Sequence, residues 1–246
     1  MIGIDFNIIY LLIFIISLVQ SIVGVGILVV GTPLMLILEF EIIEIMYFLL
    51  PLSILTSLIN LFLIKFIFKE KMIFERKIIK HFFFITFIGL FLGLIILKYL
   101  SEQLNLNIIV AFIILFSILL KIKLKNVIFS NILLRKFYLF LIGAIHGLTN
   151  SGGTLLTILM FNKVDIVRGV VHFFYLILAS IQLLILGFVS TNEESININW
   201  FLTFATILIA SLFGGYFYEI LKKKIDYFIY TLAILTCFVL FWKTEL

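Results

Sequence analysis

Cysteine is almost absent from the 246-residue chain. Cys237 stands alone, which excludes a disulfide framework within one chain and a thiolate metal site. Charge is scarce as well. Asp, Glu, Lys and Arg make up 13% of the residues, and none lies deep in an apolar run. That argues against a proton pump built on a charge relay and against a cation site built of carboxylates. The N-terminal stretch MIGIDFNIIY lacks the basic start and small-residue cleavage site of a signal peptide, so the first apolar segment is expected to be retained. No nucleophile–base–acid constellation, phosphate loop or HExxH stretch occurs, and no cofactor, metal or enzymatic activity is expected.

What the chain has in abundance is hydrocarbon. Hydrophobic residues make up 64% of it and the mean hydropathy is +1.34, the composition of an all-α polytopic membrane protein. Apolar runs that cross or nearly cross a bilayer are expected at about 44–64, 79–97, 106–120, 169–189, 199–221 and 225–242. The net charge of +5 does not point to nucleic acid, because the basic residues sit in short loops between apolar runs, where topology accounts for them. Trp200 and Trp242 fall at helix ends and read as interface anchors.

Two further segments are interrupted. The first, about 6–38, carries Gly24, Gly26, Gly31 and Pro33 beside the polar Gln20, Ser21 and Thr32. The second, about 137–161, breaks at Asn150, Ser151, Gly152 and Gly153. Glycine and proline are costly inside a helix, and an opened backbone is costlier still in lipid. Laid over one another at an offset of 126, Gln20 meets His146, Gly26 meets Gly152 and Thr32 meets Ile158. Each break precedes a polar-dotted helix, and two more helices follow. The expected organisation is two four-element repeats, 1–125 and 126–246, each a broken helix pair plus three helices.

Basic residues discriminate between topologies. If all eight elements cross, 11 of the 18 Lys and Arg share one face. If both broken segments are re-entrant hairpins, with second-hairpin arms of about nine to thirteen residues, the number rises to 16. The acidic stretches 39–44 and 192–195 then share the opposite face. The second arrangement obeys the positive-inside rule and, with an odd number of passes per half, inverts the repeats. Inverted repeats with discontinuous helices place a substrate near the midplane.

A helix that starts after a glycine turn offers unpaired N–H groups and a positive dipole end to an anion. The expected contacts are therefore Gln20, Ser21, Gly24 and Gly26 at the first break. At the second they are His146, Asn150, Ser151, Gly152, Gly153 and Thr154. Ser57 and Asn60, three apart on one helix face, and Gln182 on another helix are the flanking polar candidates, with Ser53, Thr56 and Ser180 near them. Glycines also serve close helix packing, and buried Ser, Thr, Asn and Gln also tie helices together. His146 and His172 are either proton carriers, anion contacts or hydrogen-bonded structural groups. Arg168, at a helix mouth, draws in anions or anchors the helix; the anchor is the simpler role.

The stretches LVQSIVGVGILVVGTPLMLIL and LIGAIHGLTNSGGTLLTILMF resemble the two repeat motifs of the sulfite exporter TauE/SafE family. Gly31-Thr32-Pro33-Leu34 matches the family's run after the first break. The second motif departs in having Asn-Ser-Gly-Gly for a fuller glycine triplet and Leu159 for a proline, which marks a divergent member. The resemblance implies a permease for small anions, sulfur oxyanions or organosulfonates, in the cell inner membrane. Its partners would be the bilayer and the anion, with a homo-oligomer left open. Two other readings stand beside it: a non-transporting assembly or biogenesis subunit, and an intramembrane enzyme using a histidine.

Overall fold

In a computed structural model, residues 6–70, 76–100, 105–130, 132–160, 167–189 and 198–221 are described, with scattered positions between 224 and 241. The stretch 192–195, Lys163, Lys222, Lys223, Trp242 and the side chain of Thr154 lie outside the described residues. The chain forms α1 (Phe6–Val23), α2 (Ile27–Ile37), α3 (Ile42–Phe66), α4 (Arg76–Leu100) and α5 (Leu106–Ser130). There follow α6 (Ile132–Thr149), α7 (Gly153–Met160), α8 (Val167–Val189) and α9 (Trp200–Leu221). Five of these helices carry stretches long and apolar enough to cross a membrane: α3, α4, α6, α8 and α9. The protein is a polytopic all-α membrane protein.

Its polarity is distributed inside out. Phe84, Phe112, Phe188 and Phe201 are exposed, while Gln20, Ser21, Thr32, Ser57, Asn60, His146, Asn150 and Gln182 are buried. An apolar exterior suits lipid, which competes for no hydrogen bonds. Polar side chains are affordable only where protein partners surround them.

Both breaks are built alike, and at the expected offset. At the first, the N–H of Gly24 donates to Gln20 O (2.7 Å) and that of Val30 to Gly26 O (2.7 Å). At the second, Asn150 donates to His146 O (2.8 Å) and Leu156 to Gly152 O (3.1 Å). Gly24 (φ 90°) and Asn150 (φ 62°) hold the same left-handed turn, a conformation open to glycine and tolerated by asparagine. Asn150 thus stands where a glycine is expected without changing the backbone. A Cβ on Gly26 would lie 2.3 Å from the Gln20 nitrogen, and one on Gly152 would lie 2.6 Å from the His146 Cβ. Each break therefore folds back onto the residue that begins it.

The arms differ from expectation. α6 has 18 residues, about 27 Å at 1.5 Å per residue, rather than nine to thirteen. It starts at Ile132 because the polar heads of Arg135 and Lys136 can leave the apolar layer while their stems stay along the helix. The second arms are short, 11 residues in α2 and 8 in α7.

Helix pairing sets these breaks at the centre. α6 lies along α4, α1 along α9, and α3 along α8, with α2 packed on α3 and α7 on α8. The α4–α6 contact is backbone on backbone. Cβ atoms on Gly89 and Gly93 would fall 2.2 Å from the Phe140 and Ala144 carbonyls. Those on Gly143 and Gly147 would fall 2.1 and 2.3 Å from Thr86 O and Leu90 O. Two facing glycine pairs spaced four apart permit this approach. Every residue of α2 from Ile27 to Met35 is buried except Leu34, which is partly so.

Candidate functional site

The first turn of α2 carries N–H groups with no partner inside the helix. Gln20, fully buried at the end of α1, takes one: its Oε1 accepts from Ile27 N at 3.1 Å. Its Nε2 donates to Ser57 Oγ (3.0 Å) and Ser53 O (3.2 Å) on α3. Gln20 is therefore a strut between α1, α2 and α3. Ser21 and Asn60 belong to a neighbouring knot: Asn60 Nδ2 donates to Ser21 Oγ (2.8 Å), Ser211 Oγ (3.2 Å) and Thr56 O (2.8 Å). Ser21 in turn donates to Ser17 O (2.7 Å). The side chains of Gln20, Ser21, Ser57 and Asn60 are thus all hydrogen-bonded, while Ser17 Oγ and Thr56 Oγ1 have no partner among the described residues.

The second half is different. Neither ring nitrogen of His146 has a hydrogen-bond partner among the described residues, and the same holds for Asn150 Oδ1 and Gln182 Oε1. The other ends of these side chains are fixed. Gln182 Nε2 donates to His146 O (3.2 Å), and Asn150 Nδ2 donates to Thr32 Oγ1 on α2 (3.2 Å). Ser151 is held locally, its Oγ donating to Thr149 O at 3.1 Å. Buried groups left unmet cost about 1–3 kcal/mol each, and their concentration in one place marks a site that awaits a polar partner.

Tyr175, which sequence reasoning did not single out, joins the two breaks. Its ring lies against Gly153, where an added Cβ would meet Cε2 at 2.8 Å, and 5.8 Å from the His146 ring between centroids. Its hydroxyl lies near the Leu28 and Val29 N–H groups at the first turn of α2 and has no hydrogen-bond partner among the described residues. Gly153 also abuts Val29, 3.0 Å from where its Cβ would be. The Ile27 N–H is thus held by Gln20, while those of Leu28 and Val29 stand near the Tyr175 hydroxyl. A ligand need not touch the helix end to feel its dipole. The sequence signal for Tyr175 was its position seven residues before Gln182, on the same helix face.

A third cluster ties the first break to α8. Arg168 is buried, pairs with Glu70, and donates to Ser21 O at 3.4 Å. Its guanidinium carbon lies 5.2 Å from the Phe68 ring centre and 4.4 Å from that of Tyr218. Gly24 rests on Val171 of α8, and an added Cβ would lie 2.7 Å from that side chain. His172, one turn further on, has no hydrogen-bond partner for either nitrogen among the described residues. The structure therefore brings Gly152, Gly153, His146, Asn150 and Gln182 together with Tyr175 and the start of α2. It sets Gln20 and Ser57 behind that start, Ser21 and Asn60 beside Ser211, and Gly24 against α8. No group of three or more His, Cys, Asp or Glu suited to a metal occurs among the described residues.

No curated protein and no solved structure matches the chain. The model of the sulfite exporter TauE/SafE family matches residues 9–243, nearly the whole length, and the chain belongs to that family of membrane transporters for sulfur anions.

Proposed function

We propose that the protein is a secondary transporter of a small sulfur oxyanion or organosulfonate across the cell inner membrane, with the anion held where the two breaks meet. The observation that carries the reading is the pair of unmet donors at that junction, the His146 ring and the Tyr175 hydroxyl, beside the first turn of α2. An oxyanion supplies the acceptors both lack, and the dipole of α2 favours negative charge there. Gln20 and Ser57 set the position of that turn, and Asn150 and Gln182 orient the second break around the ligand.

Access alternates as two halves, 1–125 and 126–246, rock about the site in inverted orientation. Supporting this, the breaks share three features at one offset: the left-handed residue, the hydrogen bonds around it and the glycine folded on residue 20 or 146. Helix contacts also exchange in pairs, α1 with α9 answering α6 with α4. The direct test is flux of labelled sulfite and sulfoacetate into proteoliposomes. Saturable uptake is expected; no flux of any anion by folded protein refutes the reading. Cysteines placed at 41 and 195 test the inversion separately: both are expected to be labelled from one side, and labelling from opposite sides contradicts it.

A further inference from the structure

One face of α8 presents Arg168, His172, Tyr175, Ala179 and Gln182 at spacings of four, three, four and three residues, all buried. Such spacing keeps side chains in a single stripe. Its ends are 14 residues apart, about 21 Å along the axis, which is most of the roughly 30 Å hydrocarbon layer. Each polar member has an atom without a hydrogen-bond partner among the described residues: Arg168 Nε, both His172 nitrogens, the Tyr175 hydroxyl and Gln182 Oε1. A packing face carries fewer such groups. On α3, the facing helix, the side chains of Ser53, Ser57 and Asn60 have partners and Thr56 Oγ1 has none among the described residues. Four unmet groups in file make sense when a polar solute supplies their partners in passing.

The stripe ends in a charge that is already covered. Glu70 lies beyond the end of α3, after the left-handed Lys69 (φ 51°), and its carboxylate sits on the Arg168 guanidinium. Phe68 and Tyr218 hold the planar group from the sides. A carboxylate and a sulfur oxyanion engage a guanidinium through the same oxygen geometry. Glu70 therefore occupies the seat that an arriving anion would need.

We propose that the stripe on α8 is the route of the anion, entered at Arg168 by displacing Glu70 and leading through His172 to the junction at Tyr175. The proposal rests on the transport reading and names the path and its closing residue. Arg168 then attracts the anion and also keeps the entrance shut, because it cannot serve Glu70 and the anion fully at once.

The test uses the full-length protein in proteoliposomes, with Cys237→Ser removing the native thiol. Single cysteines are introduced by His172→Cys and Gln182→Cys on the stripe, and by Leu184→Cys on the exposed face of the same helix. The probe is a methanethiosulfonate bearing a small sulfonate. Both stripe cysteines are expected to react, sulfite is expected to slow them, and Leu184→Cys in lipid is expected to stay inert. Adding Glu70→Gln is expected to speed the stripe reactions roughly ten-fold, the loss of about one charge-assisted hydrogen bond competing for Arg168. Anion flux with both stripe cysteines inert, or with rates indifferent to Glu70→Gln, overturns the route and leaves the transport reading standing. Absence of flux from the unsubstituted protein overturns both.

Discussion

Gln20→Leu removes one buried side chain of nearly unchanged volume and separates two roles for that residue. Gln20 bonds to Ser57 Oγ, Ser53 O and Ile27 N at 3.0, 3.2 and 3.1 Å. The two bonds to α3 cross between helices, and such bonds in membranes average about 0.6 kcal/mol each. Losing the third leaves the Ile27 N–H orphaned in an apolar interior, a cost of about 1–3 kcal/mol. The total is about 2–4 kcal/mol. At roughly 2–4 °C of Tm per kcal/mol for a chain of this size, the midpoint should fall by roughly 5–15 °C. Thermal unfolding of the purified protein in detergent, read by tryptophan fluorescence or size-exclusion recovery, measures it. Added sulfite should raise the midpoint of the variant about as much as that of the parent, since the strut shapes the site without touching the ligand. A midpoint within about 1 °C of the parent would refute the hydrogen-bond reasoning, because the orphaned N–H alone is worth more than that.

His146→Leu is expected to do the reverse: both ring nitrogens lack partners, so the Tm should hold or rise while sulfite flux is lost; a fall comparable to that of Gln20→Leu would make His146 structural. Tyr175→Phe keeps the ring on Gly153 and removes only the donor, so KM for sulfite should rise roughly ten-fold with folding intact, as initial-rate uptake would reveal. At the second break, Asn150→Gly should be tolerated. Asn150→Ala should lower stability by about 1–2 kcal/mol for the left-handed backbone and further for the bond to Thr32, a ranking that thermal melts of the two variants would establish. Gly143→Leu places a large side chain where a Cβ alone would lie 2.1 Å from Thr86 O; monodisperse protein in good yield from this variant would contradict the α4–α6 contact.

Much of this architecture could be read before the structure. A bilayer admits few ways to interrupt a helix, so Gly24, Gly26 and Asn150 to Gly153 announced the breaks, and the offset of 126 was legible from Gln20, His146 and paired glycines. The burial of Gln20, Asn60, His146 and Gln182 followed from the cost of polar groups facing lipid. Other features were illegible for physical reasons. Tyr175 sits in an apolar run, and a tyrosine there has the sequence signature of core; only the tertiary approach of α2 gives its hydroxyl a task. Which polar residues bond to each other and which stay unmet depends on side chains brought together from distant helices, so Gln20 and His146 look equivalent in sequence and differ in three dimensions. Arg168 lies beside an apolar run and looked like a surface anchor. Its burial depends on Glu70, some 98 residues earlier, on Phe68 and on Tyr218. The length of α6 was underestimated because Arg135 and Lys136 read as loop, although long basic side chains can extend out of a helix that continues beneath them.

The central claim, that an anion binds where the two breaks meet, is tested most directly by locating one there. Selenite has the charge and shape of sulfite and scatters X-rays anomalously, so crystals of the intact protein grown with it would show its position as a single peak. The account predicts that peak within hydrogen-bonding distance, about 3 Å, of the His146 ring and the Tyr175 hydroxyl, lost in His146→Leu crystals. A peak elsewhere in the molecule, or one at the junction that persists unchanged when His146 is replaced, would contradict it.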